Sequence, residues 1–125
     1  MAERFDRRRA SRSFGHAARG VVHALKTEQN LQIHALIAIV VLGLSIYLHV
    51  SPLELAIILL AIALVLTAEV INTVVEDLLD LIHPERHPAV GLIKDVLAGA
   101  VLIAALIAAI IGGLIFLPYL FAALG

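Results

Sequence analysis

The chain has 125 residues, of which 62% are hydrophobic, and its mean hydropathy is +1.04. Soluble domains are about half apolar, so this composition predicts one membrane domain and argues against a soluble fold. The formal net charge of −1 indicates no nucleic-acid partner, and the lack of cysteine excludes disulfides and thiolate metal sites.

Residues 1–30 are predicted to be a basic cytoplasmic segment that carries an amphipathic helix. Seven of the nine Lys and Arg residues lie before position 31. Apolar residues recur at near-helical spacing from Phe14 to Leu25, with basic residues between them. This pattern is typical of a helix that lies on the inner membrane surface, and a solvated basic tail is the alternative.

Residues 31–125 are predicted to form an all-α transmembrane domain, because they contain three apolar runs long enough to span about 30 Å. The predicted spans are Leu31–Val50, a second from Ser51 to about Ile82, and a third that starts after Pro88 and includes Val96–Leu117. The second opens with Ser51-Pro-Leu-Glu54, which has the pattern of a capping box. Pro118 is expected to end or kink the third.

The positions of Lys and Arg predict the orientation of these spans. The basic N-terminus is expected inside the cell, and so is the loop that carries Arg86. The turn near His49 and the C-terminus contain no Lys or Arg and are expected outside.

Small residues recur four apart on the third span and predict close helix packing in lipid. They are Ala100, Ala104, Ala108 and Gly112, with Ala105, Ala109 and Gly113 beside them. Oligomerisation is expected, because three helices are too few to bury both this stripe and an acidic face. Packing within one protomer is the alternative.

The second span carries Glu69, Asn72, Glu76 and Asp80 within an arc of roughly 80°. Carboxylates at a bilayer edge are costly and are usually retained for a task. A rise of 1.5 Å per residue places Glu69 about 27 Å from Ser51, near the cytoplasmic boundary.

Two other segments bring polar residues to the same level. Glu28 directly precedes the first span, and Lys94 and Asp95 precede the uncharged part of the third. Mg²⁺ is usually held by one or two carboxylates plus substrate phosphates, a lysine neutralises phosphate charge, and a carboxylate accepts the proton of an attacking hydroxyl. These residues therefore favour phosphoryl transfer from a cytoplasmic nucleotide to a membrane lipid alcohol. The sequence contains no P-loop, so side chains and metal must form the nucleotide site.

Two other interpretations were weighed. A non-enzymatic adaptor or proton-relay subunit would explain buried acids, but a relay needs ionisable groups through the whole bilayer. The outer two thirds of the spans hold essentially none apart from His49 and Glu54 at the outer end. His83 and His87 have a zinc spacing, but Pro84 breaks the helix there and no third ligand is evident.

The segment Glu69-Val-Ile-Asn-Thr-Val-Val-Glu76 resembles the E-x-x-N-[ST]-x-x-E signature of the prokaryotic diacylglycerol kinase family, which includes undecaprenol kinases. Asp80, His87 and Lys94–Leu102 extend the resemblance, which covers roughly residues 14–109. It implies an ATP- and Mg²⁺-dependent lipid kinase in a bacterial cell membrane. It also implies a homotrimer of three-helix protomers, with active sites shared between neighbours.

The resemblance implies a role for each polar residue at this level. The implied catalytic residues are Glu69 as general base, Asn72 as the residue that orients that site, and Asp95, which would hold the nucleotide or Lys94. Glu28 and Glu76 would bind the metal and, with it, ATP. Lys94 would contact the ATP phosphates, and Asp80 would support the polar face. Arg86 and His87 are expected at the nucleotide, Arg86 through charge or stacking.

The segment before the first span favours one lipid substrate. Asn30 and His34 are similar to the Gram-positive branch of the family, whose members phosphorylate undecaprenol. They are therefore expected to contact the lipid, together with Glu69 and Asn72. Diacylglycerol is the alternative substrate. Gln32 departs from the family, which usually has arginine at this position.

Overall fold

The computed structural model describes residues 6–125, which form four α-helices. They are α1 (Arg7–Thr27), α2 (Gln29–Tyr47), α3 (Pro52–Ile82) and α4 (Pro88–Leu124). The last three are long and apolar enough to cross a membrane. The prediction of an all-helical membrane protein with three spans is thus confirmed. Residues 1–5 of the predicted basic segment lie outside the described residues.

Helix α1 begins earlier than the predicted Phe14. Asp6 caps it, because its side chain accepts a hydrogen bond of 2.9 Å from the backbone N–H of Arg8. The apolar side chains of Phe14, Val21 and Val22 are exposed in the single chain. A membrane-surface position for this helix stays a prediction.

The turn between α2 and α3 ends α2 with a Schellman motif. His49 has a φ of 55°, in the left-handed region. The N–H of His49 donates to the carbonyl of Ile46, and the N–H of Val50 donates to the carbonyl of Ser45. These bonds satisfy two carbonyls at the helix end that have no helical partner, and they let the chain reverse within four residues.

The start of α3 is capped as its sequence predicts. The Ser51 hydroxyl accepts from the N–H of Glu54, and the Glu54 carboxylate accepts from the N–H of Ser51, both at 3.1 Å. The Tyr119 hydroxyl also donates to the same carboxylate oxygen at 2.5 Å. This contact joins the end of α4 to the start of α3.

Helix α4 continues through Pro118, so the alternative that this proline ends the helix is wrong. Proline lacks an N–H and leaves the carbonyl of Leu114 without its helical partner. The residues around it are nevertheless anchored, since Ile115 and Phe116 are buried and Tyr119 binds Glu54.

The tightest core lies near the α2–α3 turn. Ile58 of α3 packs there with Ile115 and Phe116 of α4, and Val41 and Leu44 of α2 lie against them. Helix α3 is central, because it packs mainly on α4 and to a lesser extent on α2. The polar residues lie toward the opposite end of the bundle.

Candidate active site at one end of the bundle

Because α2, α3 and α4 alternate in direction, the start of α2, the end of α3 and the start of α4 share one end of the bundle, the site end. Two contacts show this arrangement. His34 Nε2 lies 3.9 Å from Glu69 Oε2, and Lys94 Nζ lies 2.6 Å from Asp80 Oδ1. The structure therefore brings α2 close to α3 at Glu69 and α4 close to α3 at Asp80.

Glu69 is the most deeply placed carboxylate of this set. The residue is 3% exposed, and the imidazole of His34 on α2 lies 3.9 Å from its carboxylate. Their separation exceeds hydrogen-bond length. A buried carboxylate is costly without a donor. Glu69 is thus well suited to accept a hydrogen bond from a hydroxyl that reaches it.

Asn72 lies on the same face of α3, three residues after Glu69. Its side chain is buried, and its Oδ1 atom has no hydrogen-bond partner among residues 6–125. Leaving a buried acceptor unpaired costs about 1–3 kcal/mol. Such an atom in a native site usually has a purpose, and a bound donor would satisfy it.

Lys94 is held by an acid of α3, and it forms no ion pair with the side chain of Asp95 among residues 6–125. The side chains of Lys94 and Asp80 are 33% and 63% exposed, so the pair is accessible from outside the bundle. Glu76 is near enough to act on the Lys94 charge. Asp95 is exposed. Asp95 was expected to hold either the nucleotide or Lys94. Its position is compatible with contact to a nucleotide, whereas Asp80 is the residue that holds Lys94.

A cleft of about 630 Å³ has Lys94 and Asp80 in its lining. The turn between α3 and α4 lines it, including Arg86 and His87. Arg86 is exposed, whereas His87 Nδ1 accepts from the N–H of Ala89 and so caps α4. His83 Nδ1 contacts the carbonyl of Glu85 at 3.0 Å. Residues 6–125 contain no group of three His, Asp or Glu side chains that could hold a metal ion.

Glu28 is the one residue between α1 and α2, and its side chain is half-buried. It occupies the N-cap position of α2, yet its carboxylate makes no capping hydrogen bond. Asn30 is exposed on the first turn of α2, four residues before His34 and on the same face. The Glu28 carboxylate and the Asn30 amide are thus available to a bound group.

An apolar groove of about 290 Å³ runs along the bundle between α2, α3 and α4. His34 lies at its site end and Phe116 near its other end, and the remaining lining is apolar. Small α4 residues of the predicted stripe line it, including Ala105, Ala108 and Gly112, while Ala104 is buried within the chain. The sequence pattern does not predict this groove, although the small-residue stripe marks the side of α4 that forms it.

Three membrane-length helices with buried polar groups toward one end define a small integral-membrane protein. The family model for prokaryotic diacylglycerol kinase matches residues 15–116, which is most of the chain. The chain therefore belongs to the prokaryotic diacylglycerol kinase family, and it is a lipid kinase.

Individual relatives agree with this membership. An undecaprenol kinase of Bacillus subtilis is 43% identical over 109 residues, which are 87% of this chain and 89% of the relative. A diacylglycerol kinase of Synechocystis is 36% identical over 107 residues, or 85% of this chain and 61% of that protein. A diacylglycerol kinase of Haemophilus influenzae is 29% identical over 102 residues, covering 81% and 86%.

Proposed function

We propose that this lipid kinase transfers the γ-phosphoryl group of ATP to the hydroxyl of undecaprenol, with Mg²⁺ as cofactor. The observation that carries the proposal is the buried Glu69 carboxylate beside the unpaired oxygen of Asn72, near the His34 end of the apolar groove. A lipid alcohol can extend its chain along apolar surface and present its hydroxyl at that end. A nucleotide can reach the same end from the aqueous side.

The proposed chemistry begins with the lipid hydroxyl donating to Glu69. As the hydroxyl oxygen attacks the γ-phosphorus, its proton passes to the Glu69 carboxylate. The new oxygen–phosphorus bond forms while the bond from the γ-phosphorus to the bridging oxygen breaks, and that electron pair leaves with ADP. Asn72 orients the reacting group, because its Oδ1 can accept a hydrogen bond within one turn of Glu69.

The nucleotide would be bound at the edge where Lys94 lies. Lys94 would contact the phosphates, with Asp80 restraining its side chain, and Asp95 would hold the nucleotide. Arg86 and His87 line the adjoining cleft, where Arg86 is free to approach a base or a phosphate, whereas His87 contributes through its cap on α4.

Glu28 and Glu76 would bind Mg²⁺. Carboxylate oxygens are the donors this ion prefers, and a site of one or two carboxylates is usually completed by substrate phosphates and water. The donor set thus fits the ion, although one chain does not gather three ligands among its described residues. Bound Mg²⁺ would neutralise phosphate charge.

We place residues 1–30 on the cytoplasmic side and residues 31–125 in the bacterial cell membrane, with the C-terminus outside. We also propose a homotrimer with shared sites. The support is that about a fifth of each span is buried within one chain, so most of the apolar surface needs lipid or a neighbour. Co-assembly of Glu28→Gln and Glu69→Gln chains, each inactive alone, should restore part of the activity if neighbours share sites. No recovery in verified mixed trimers would contradict sharing.

The choice of undecaprenol rests on two observations. The relative with 43% identity is named undecaprenol kinase, whereas those with 36% and 29% are named diacylglycerol kinase. Asn30 and His34 also share the face of α2 that leads to the groove. Diacylglycerol is the second candidate, because the groove selects for apolar chains and either lipid supplies a hydroxyl.

A competition assay tests the choice of lipid. Purified protein in mixed micelles receives labelled ATP, Mg²⁺ and equal amounts of undecaprenol and diacylglycerol. Preferential labelling of undecaprenol would support the proposal. Preferential labelling of diacylglycerol would keep the kinase but overturn the lipid assignment, and labelling of neither by folded protein would favour a non-enzymatic role.

A further inference from the structure

The joint between α1 and α2, at Glu28, is held by a side chain from the first turn of α2. Gln32 Nε2 donates to the backbone carbonyls of Leu25 at 2.9 Å and Lys26 at 3.3 Å. Both carbonyls belong to the last turn of α1, where helical N–H partners run out. The carboxamide of Gln32 therefore replaces two missing backbone donors and bridges one helix to the other.

Glu28 lies inside this joint and is tied to both helices through its backbone. Its N–H donates to the carbonyl of Ala24 in α1, and its carbonyl accepts from the N–H of Gln32 in α2. Its own backbone is extended, with φ −103° and ψ 109°. The direction of the Glu28 side chain therefore depends on the angle between the two helices.

The carboxylate of Glu28 does not stabilise the joint itself. An acidic residue at an N-cap commonly accepts from the first N–H groups of its helix, but Glu28 makes no such bond. Thr27 does not join the helices either, because its hydroxyl donates within α1 to the carbonyl of His23. Within residues 6–125, Gln32 is the residue whose side chain bonds across the joint.

We infer that Gln32 is a positioning residue of the kinase, whose carboxamide fixes the angle between α1 and α2 and so places the Glu28 carboxylate. This inference rests on the proposed function in taking Glu28 as a metal ligand. The group that faces Leu25 and Lys26 must be a donor, because both partners are carbonyl oxygens. An acceptor of the same shape cannot replace it.

Variants of Gln32 separate the donor from the shape of the side chain. Gln32→Ala removes the bridge, and Gln32→Glu keeps the shape but loses the N–H donors. Gln32→Arg retains donors that can reach both carbonyls. Gln29→Ala is the matched control, since Gln29 is an exposed glutamine of the same helix whose side chain makes no hydrogen bond with residues 6–125.

Kinetics give the first readout. We expect Gln32→Ala and Gln32→Glu to raise the apparent KM for Mg²⁺ about three- to tenfold, the scale of one net hydrogen bond, while the KM for lipid stays near wild type. Gln32→Arg should restore the Mg²⁺ dependence, and Gln29→Ala should leave it unchanged. An equal loss in all Gln32 variants, or a changed kcat with an unchanged KM for Mg²⁺, would overturn the inference.

Distance measurements give the second readout. The chain has no cysteine, so Ala17→Cys on α1 and Ile39→Cys on α2 can carry spin labels, diluted with unlabelled chains in the oligomer. The distance distribution should broaden in Gln32→Ala and narrow again in Gln32→Arg. An unchanged distance distribution in Gln32→Ala would overturn the inference that Gln32 fixes the angle between α1 and α2. This readout uses neither ATP nor metal, so it separates failure of the joint from failure of the proposed kinase chemistry.

Discussion

Replacing Glu69 with glutamine should remove the proposed base while preserving the site. The two side chains have nearly the same shape, and the residue is 3% exposed, so packing on α3 should change little. A positioned general base contributes about 10²- to 10⁴-fold to rate. This range corresponds to about 2.7–5.4 kcal/mol of transition-state stabilisation. We expect kcat to fall by about that factor, with ATP affinity near wild type.

The assay follows transfer of labelled phosphate to lipid in micelles, with separate titrations of ATP and Mg²⁺. Asp77→Asn is the matched control, since it removes an exposed carboxylate one helical turn before Asp80 on α3 and should keep near wild-type activity. Glu69→Gln within about threefold of wild type would refute the assignment of the base, because a lost base costs at least about 10²-fold. A collapse of ATP binding would instead place Glu69 at the nucleotide.

Four other substitutions test the fold and the nucleotide edge. Tyr119→Phe should lower the thermal unfolding midpoint, because the hydrogen bond to Glu54 that anchors α4 is lost. His49→Gly should stabilise the fold by about 0.5–1 kcal/mol, measured by denaturant unfolding in micelles, because it relieves a left-handed residue. Lys94→Met should raise the KM for ATP about tenfold or more, whereas Asp80→Asn should raise it by less than about fivefold, since exposed ion pairs contribute little.

Three of these substitutions have a control on the same chain. Tyr47→Phe changes an exposed tyrosine and should leave the midpoint unchanged. His49→Ala removes the same ring without permitting positive φ, so it should not stabilise. Lys26→Met changes the other of the two lysines in the chain and should leave the KM for ATP near wild type. A variant that gives the same result as its control would contradict the structural feature on which its prediction depends.

Features that depend on neighbouring residues were predictable from the sequence. Ser51 and Glu54 are three residues apart, so the cap at the start of α3 follows from local geometry, and the structure has it. The spacing of Glu69, Asn72 and Glu76 likewise places them on one helix face wherever α3 lies. Apolar length alone predicts the three spans.

Features that depend on how helices pack were not predictable in the same way. The choice of Asp80 over Asp95 as the partner of Lys94 depends on how α3 meets α4. The bond from Gln32 to Leu25 requires the chain to turn back at Glu28, which periodicity does not reveal. A proline was expected to end or kink α4, yet tertiary contacts around Pro118 carry the helix onward.

The apolar groove also depends on how the helices pack, so the sequence did not predict it. Small residues on α4 predicted close packing, but the sequence could not say which helix they would face. In the structure, several of them border the space between α2 and α4.

The most direct test of the central claim is phosphate transfer in a lipid bilayer. Purified chain in nanodiscs that contain undecaprenol receives ATP labelled on its γ-phosphate, with and without Mg²⁺, and the lipid products are separated. The account predicts label in undecaprenyl phosphate that depends on Mg²⁺ and is lost in Glu69→Gln. ATP hydrolysis with no labelled lipid, or labelling that persists in Glu69→Gln, would contradict it.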